Sequence, residues 1–370
     1  MKKFCLVKSF LIISVLTITA HAQSISFDSD RWEINARESR VTDHLGRKSL
    51  FLKGGSATVK DSRFTDGIIE FDIAFTGERG FMGTIWRVQD ATNYEEFYIR
   101  PHQSGNPDAN QYTPVFNGLS AWQLYYGEEY AAPVVYDFNK WIHVKILVAG
   151  NNAEVYIKDM EKPALFVNEL KRPTKSGRVG LSAGNFAPAH FSNFSFKAMN
   201  NPPLKGKAKE MKAPPTGTIR SWMVSNTFDE KSLDKKYLLT RSDKETLKWN
   251  KIDCESSGTV NLARLQGISQ GHDTAFAKVT IVSATEQVKK LQFGFSDRVK
   301  AYFNDRLIYG GTDIYQSRDY RFLGTIGYFD ELYLPLKKGE NELWIAVSES
   351  FGGWGIKAMF EDMEGIEIKE

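Results

Sequence analysis

The chain has 370 residues, 42% of them hydrophobic and 13% aromatic, with eight Trp and a formal net charge of +3. Residues 1–22 carry three of the lysines and no acidic residue, so the rest of the chain is neutral (3 − 3 = 0), which removes any electrostatic argument for nucleic acid or anionic membranes as partners. Its length exceeds what one hydrophobic core usually supports, and two domains are expected.

Lys2, Lys3 and Lys8 flank an apolar run through Leu11–Leu16, and Ala20-His21-Ala22 supplies small residues for cleavage before Gln23. This reads as a secretory signal peptide over 1–22, too short to span a bilayer, and predicts a secreted or periplasmic protein with no transmembrane segment. Once it is removed Cys254 is the sole cysteine, so no intramolecular disulfide is expected.

From residue 23 the pattern is of short alternating segments separated by turns: 68–75, 141–148, 153–158 and 190–197, with Gly150-Asn151-Asn152 as a hairpin turn. The stretch 84–102 reads as two strands around a turn at Asp90–Asn93. Alternation sends Phe97 and Ile99 to a core, and Glu96, Tyr98, Arg100 and His102 to the opposite face. In its first half Trp86 and Val88 point one way and Arg87 the other. A long polar loop, 102–118, follows; Asn106, Asp108 and Asn110 offer oxygen atoms for a structural Ca²⁺ without EF-hand spacing, and no other cofactor is predicted. Gln123 and Tyr125, alternating with Trp122 and Leu124, are expected to line the same cleft.

Residues 198–218 hold two Pro-Pro pairs and several lysines, the composition of an extended spacer between domains. Beyond it, 275–282, 290–296, 299–305 and 341–348 alternate again, with turns at Asn304-Asp305 and Lys338–Asn341 and short helical turns near Glu230–Lys235. The predicted class is all-β: a signal peptide (1–22), a jelly-roll domain (23–197), a Pro/Lys-rich linker (198–218) and a second β-sandwich (219–370). Trp354, set among Gly352, Gly353 and Gly355, either lies open for stacking on a sugar or plugs a core opening; Arg318, Asp319 and Arg321 stand among aromatics nearby. His143 and His190 sit in strands and read as structural. No zinc spacing or nucleophile elbow appears.

The segments FTDGIIEFDI, WRVQDATNYEEFYIR, WIHVKILVAGNNAEVYI and SGRVGLSAGNFAPAHFSNFSF together resemble the concanavalin A-like jelly rolls, in particular LamG-type domains and the bacterial 3-keto-disaccharide hydrolase family. VKAYFNDRLIY and LPLKKGENELWIAVSESFGGWG resemble the galactose-binding-like sandwiches that accompany glycosidases. Family 16 glycoside hydrolases share the first fold and place three carboxylates on one strand face. Here Glu70 and Asp72 fill two of those positions and Ala74 the third, so a pair of carboxyls about 5 Å apart for retaining hydrolysis is not available from this strand.

Carbohydrate is the expected partner. Arg and Glu suit vicinal hydroxyls and aromatic rings suit the apolar sugar face, which makes Arg87, Tyr98, Arg100, His102, Gln123, Tyr125 and Trp354 the candidate ligand contacts. Three functions follow: an exported carbohydrate-binding protein; a glycosidase-type enzyme drawing acid/base groups from Glu70, Asp72, Glu96 or His102, with the second domain as accessory; or a protein-binding adhesion module.

Overall fold

A computed structural model describes residues 24–369. The signal-peptide segment lies outside the described residues.

Twelve strands build the first sandwich: β1 (Trp32–His44), β2 (Arg47–Val59), β3 (Gly67–Ala74), β4 (Met82–Asp90), β5 (Asn93–Ile99), β6 (Asn110–Phe116), β7 (Leu119–Ser120), β8 (Ile142–Ala149), β9 (Asn152–Ile157), β10 (Leu165–Val167), β11 (Arg178–Ala183) and β12 (Ala189–Ala198). Their hydrogen-bonded order is β10-β9-β8-β3-β12-β2-β11-β4-β5-β6-β7, with β1 paired along β2. β2 joins the two layers. Its first half pairs with β12 (Leu50↔Phe191) and its second half with β11 (Thr58↔Gly180). Between the layers lies one apolar core that includes Ile69, Phe71 and Ile73 of β3 and Trp86 and Phe97 of β4 and β5. The alternate residues of these strands therefore face outward from opposite layers.

The second sandwich has its own core, including Trp222, Phe293, Ile345 and Trp354. One sheet runs in the order Trp249–Asp253, Ser221–Ser225, Thr274–Ser283, Gly339–Ser348, Arg298–Phe303, Arg306–Thr312, and Ile366–Lys369 also pairs with Thr274–Ser283. The facing sheet orders Val260–Asn261, Gly355–Phe360, Gln287–Ser296 and Asp330–Leu336. The all-β class and the alternating segments agree with the sequence to within a few residues at the strand ends. The Glu230 turn is a 3-10 turn, Glu230–Leu233; a short helix, Arg241–Glu245, has no counterpart in the sequence reading.

No strand or helix lies between Ala198 and Ser221, yet this Pro/Lys-rich stretch does not run free. Lys205 pairs with Glu161 at 2.8 Å, Gly206 N–H donates to Glu154 at 2.5 Å, and Lys209 N–H donates to Asn168 at 2.6 Å. The segment is thus laid along the first sandwich. Among the described residues no helix is long and apolar enough to cross a membrane.

Candidate functional site

The outward faces of β4, β5 and β11 floor a cleft of about 700 Å³, within the size range of small-molecule sites. The β4–β5 turn is closed by Asp90, whose carboxylate accepts the Thr92 N–H at 2.7 Å. From there β5 alternates as expected: Phe97 and Ile99 enter the core, while Tyr94, Glu96, Tyr98 and then Arg100 face the cleft.

β4 departs from simple alternation. Arg87 has a positive φ of 49°, and the β4–β5 register shifts between Trp86 and Asp90. This bulge turns Trp86 and Arg87 to the same side and sends Val88 with Ile85 into the cleft, reversing the predicted partnership of Trp86 and Val88. Arg87 therefore does not line this cleft. It is 1% exposed, donates to Thr65 O (2.8 Å), Asp66 Oδ1 (2.9 Å) and Gly150 O (2.6 Å), and lies 4.0 Å from the buried Glu95.

Glu96 sits at the cleft floor. Protein surrounds its carboxyl, although the cleft leaves it partly open to solvent. Burial pushes its pKa up to about 7, against a hydrogen bond donated by Ser182 Oγ at 3.0 Å. No ion pair neutralises it among the described residues. A carboxyl in this state at pH 7 both donates and accepts hydrogen bonds. Arg100 is fixed more tightly. It donates to Asp108 at 2.7 Å and to Gln111 Oε1 at 2.6 Å, and its guanidinium carbon lies 5.7 Å from the ring centroids of both Phe81 and Trp122. Tyr98 donates to the same Gln111 oxygen at 3.1 Å. His102 stands edge-on to Phe81, and burial followed by the charges of Arg79 and Arg100 lowers its pKa, keeping it neutral at pH 7.

The remaining sequence candidates lie elsewhere. Glu70 and Asp72 face outward from β3 in the opposite layer, where His143 Nδ1 is 2.7 Å from Asp72 and Nε2 is 3.7 Å from Glu70. Hydrogen bonds to these two carboxylates raise His143 to about 9. Asp72 also accepts from Arg47 (2.5 Å) and Asn193 (2.6 Å), so this cluster is internally paired and remote from the cleft floor. The structural reading of His143 gains two ion-pair partners.

Gln123 and Tyr125 are buried between the sandwiches rather than along the cleft. Tyr125 OH donates to Glu255 at 2.5 Å, and Gln123 donates to Leu323 O at 2.8 Å. Trp354 is fully buried and donates to Val347 O at 2.9 Å, which is the plug reading. In its glycine-rich loop the open ring belongs to Phe351, 63% exposed and part of the cleft wall.

Of the three residues considered as Ca²⁺ ligands, Asp108 accepts from Arg100, while Asn106 and Asn110 donate through Nδ2 to Gln103 Oε1 and Ala132 O. Among the described residues no group of three or more His, Cys, Asp or Glu is arranged to hold a metal. Tyr94, Ser182 and Phe186 were missed, as were Arg79 and Phe81. Tyr94 follows from extending the β5 alternation by one step. The others required knowledge of which strands adjoin.

No protein-family model matches the chain, and no curated protein matches it. Among solved structures it is similar to a carbohydrate-binding module of family 66 from Bacillus subtilis, at 19% identity and TM-score 0.35, over 45% of this chain and 96% of that one. A Bacillus subtilis protein of unknown function with a galectin-like fold matches at 10% identity and TM-score 0.36, over 48% and 94%. A native glycosidic hydrolase matches at 14% identity and TM-score 0.35, over 49% and 97%.

Proposed function

We propose that the chain is an exported carbohydrate-binding protein whose ligand occupies the cleft over β4, β5 and β11. One observation carries the reading: flat aromatic surface and hydrogen-bonding groups converge there. Phe81, Trp122 and Phe186 offer faces for the apolar side of a sugar ring, and Glu96, Ser182 and Arg100 offer donors and acceptors for its hydroxyls. The Glu70–Asp72–His143 cluster contributes nothing to this site.

The test is retention on a polysaccharide panel followed by calorimetry with the retained sugar. Trp122→Ala should weaken binding about tenfold, equivalent to about 1.4 kcal/mol. Absence of retention on every polysaccharide would sink the reading. Export is checked separately by N-terminal sequencing of protein recovered outside the cytoplasm, where a start at Gln23 is expected.

A second reading rests on Glu96, a carboxyl raised to about 7 in a cleft, which is the state a general acid for glycosidic oxygen requires. New reducing ends, lost in Glu96→Gln, would establish cleavage over binding alone. Retention without reducing ends would leave binding alone.

A further inference from the structure

The cleft is not walled by the first sandwich alone. Tyr315, Leu323 and Phe351 of the second sandwich also line it, Phe351 with its ring centroid 5.9 Å from that of Trp122. Both second-sandwich segments that reach the cleft are fastened at one residue of the first.

Gln123 N–H donates to Gly352 O at 2.9 Å, and Gln123 O accepts from Ile326 N–H at 3.1 Å. Its side-chain Nε2 donates to Leu323 O at 2.8 Å, while Oε1 accepts from Ser296 Oγ at 3.3 Å. The side chain is fully buried, so four groups that would otherwise need water are satisfied across the boundary between sandwiches.

Two glycines make room for it. Cβ atoms at Gly352 (φ 108°) and Gly324 (φ 75°) would lie 1.9 Å from Gln123 Oε1 and 2.1 Å from Nε2. Any other residue at either position would push the glutamine out. Phe351 immediately precedes one of these glycines and Leu323 the other.

We propose that the saccharide site is composite: Phe351 and Tyr315 form a stacking subsite that extends the ligand beyond the Glu96–Trp122 floor, and Gln123 is the residue that positions them. The inference rests on the saccharide reading above. It assigns the ligand class as an oligosaccharide or an exposed polysaccharide segment, with one ring over the Glu96 floor and a linked ring against Phe351. Gln123 acts through the loops and touches no ligand. Phe351 touches the ligand and leaves the fold of either sandwich unchanged, being exposed on one side.

The experiment uses the full chain and calorimetric titration with the mono-, di- and trisaccharides of glucose in cello-, laminari- and malto-linkage, and of xylose. The unaltered protein should gain affinity from mono- to trisaccharide for at least one linkage. Phe351→Ala should remove that gain, about tenfold, and Phe351→Tyr should restore it. Gln123→Ala should reproduce the Phe351→Ala pattern and also accelerate amide hydrogen exchange across residues 313–329 and 350–353, a readout independent of any sugar.

If Trp122→Ala weakens binding but Phe351→Ala and Gln123→Ala bind all lengths normally, the composite site is wrong and the cleft reading stands. Binding of no sugar overturns both. Unchanged exchange in Gln123→Ala overturns the positioning role whatever the sugar result.

Discussion

Arg87 shows how strongly a single guanidinium can be committed. Its fork spans Thr65 O, Asp66 and Gly150 O, tying the start of β3 to the β8–β9 turn, with Nη1 at 4.0 Å from Glu95. Burial pushes Glu95 up, so this neighbour is not a full counter-charge. Removing the arginine leaves Asp66 with the Gly150 N–H, at 3.0 Å, and takes a charged donor from two carbonyl oxygens. Arg87→Ala should therefore cost about 3 kcal/mol, at the lower end of what breaking a buried pair costs, and urea denaturation measures it. Lysine should rescue little, since a point charge cannot reproduce the planar fork. An unchanged denaturation midpoint for Arg87→Ala would show that the backbone carbonyls find other donors.

At this scale the sequence was partly legible. The residue types at 94–102 announced a polar face, and β5 delivers it. The arginine one strand earlier looked equivalent and is not, because its direction depends on a bulge whose positive φ no glycine, asparagine or turn dipeptide advertises.

Between elements, β3 and β8 are joined through Asp72 and His143, which stand directly opposite in register. His143 titrates near 9 when folded and near its ordinary 6.5 when unfolded. Its raised pKa means that the folded state holds the extra proton. The stabilisation is thus complete below about 6.5 and disappears as pH rises through about 9. His143 is 39% exposed, so its contribution should match a surface pair, about 0.2–1 kcal/mol. Thermal melts of His143→Gln should lie below the unaltered protein at pH 6 and coincide with it by pH 10. A gap that persists undiminished at pH 10 would mean that packing, not charge, is lost.

The alternation of β3 was read correctly, with Ile69, Phe71 and Ile73 inside and Glu70 and Asp72 outside. What alternation does not contain is which outside. Glu70 and Glu96 both leave the core, but from opposite layers, and strand order rather than periodicity separates them.

For the whole molecule the deciding contacts are those between sandwiches. Glu255 accepts from Tyr125 OH at 2.5 Å and pairs with Lys171 at 3.0 Å, and Asn117 Nδ2 donates to Ala263 O at 2.8 Å. Lys171 is 2% exposed and keeps Glu169 as a second partner. With this much polar satisfaction across the boundary, the two cores should melt together in calorimetry. Glu255→Ala should loosen that coupling and split or broaden the transition by several degrees, about 2–4 °C per kcal/mol for sandwiches of this size. One sharp transition in the variant would show that Gln123 and the apolar contacts suffice.

Gln123 and Tyr125, expected from alternation with Trp122 and Leu124 to line the cleft, are buried away from it. Their partner is the second sandwich, a surface that a one-dimensional pattern cannot identify.

β2 carries a consequence for length changes in this chain. It is the strand whose hydrogen bonds reach both layers, with Leu50–Leu52 on β12 and Gly55–Thr58 on β11. It works as a ruler laid across the protein, fixing how far the β11 side of the cleft floor stands from the His143 cluster. An insertion in the Leu45-Gly46 turn leaves the ruler intact. One residue inserted at Lys53 would instead invert every side chain on one half, putting Ala57 and Val59 into solvent while Leu50 and Leu52 stayed in the core.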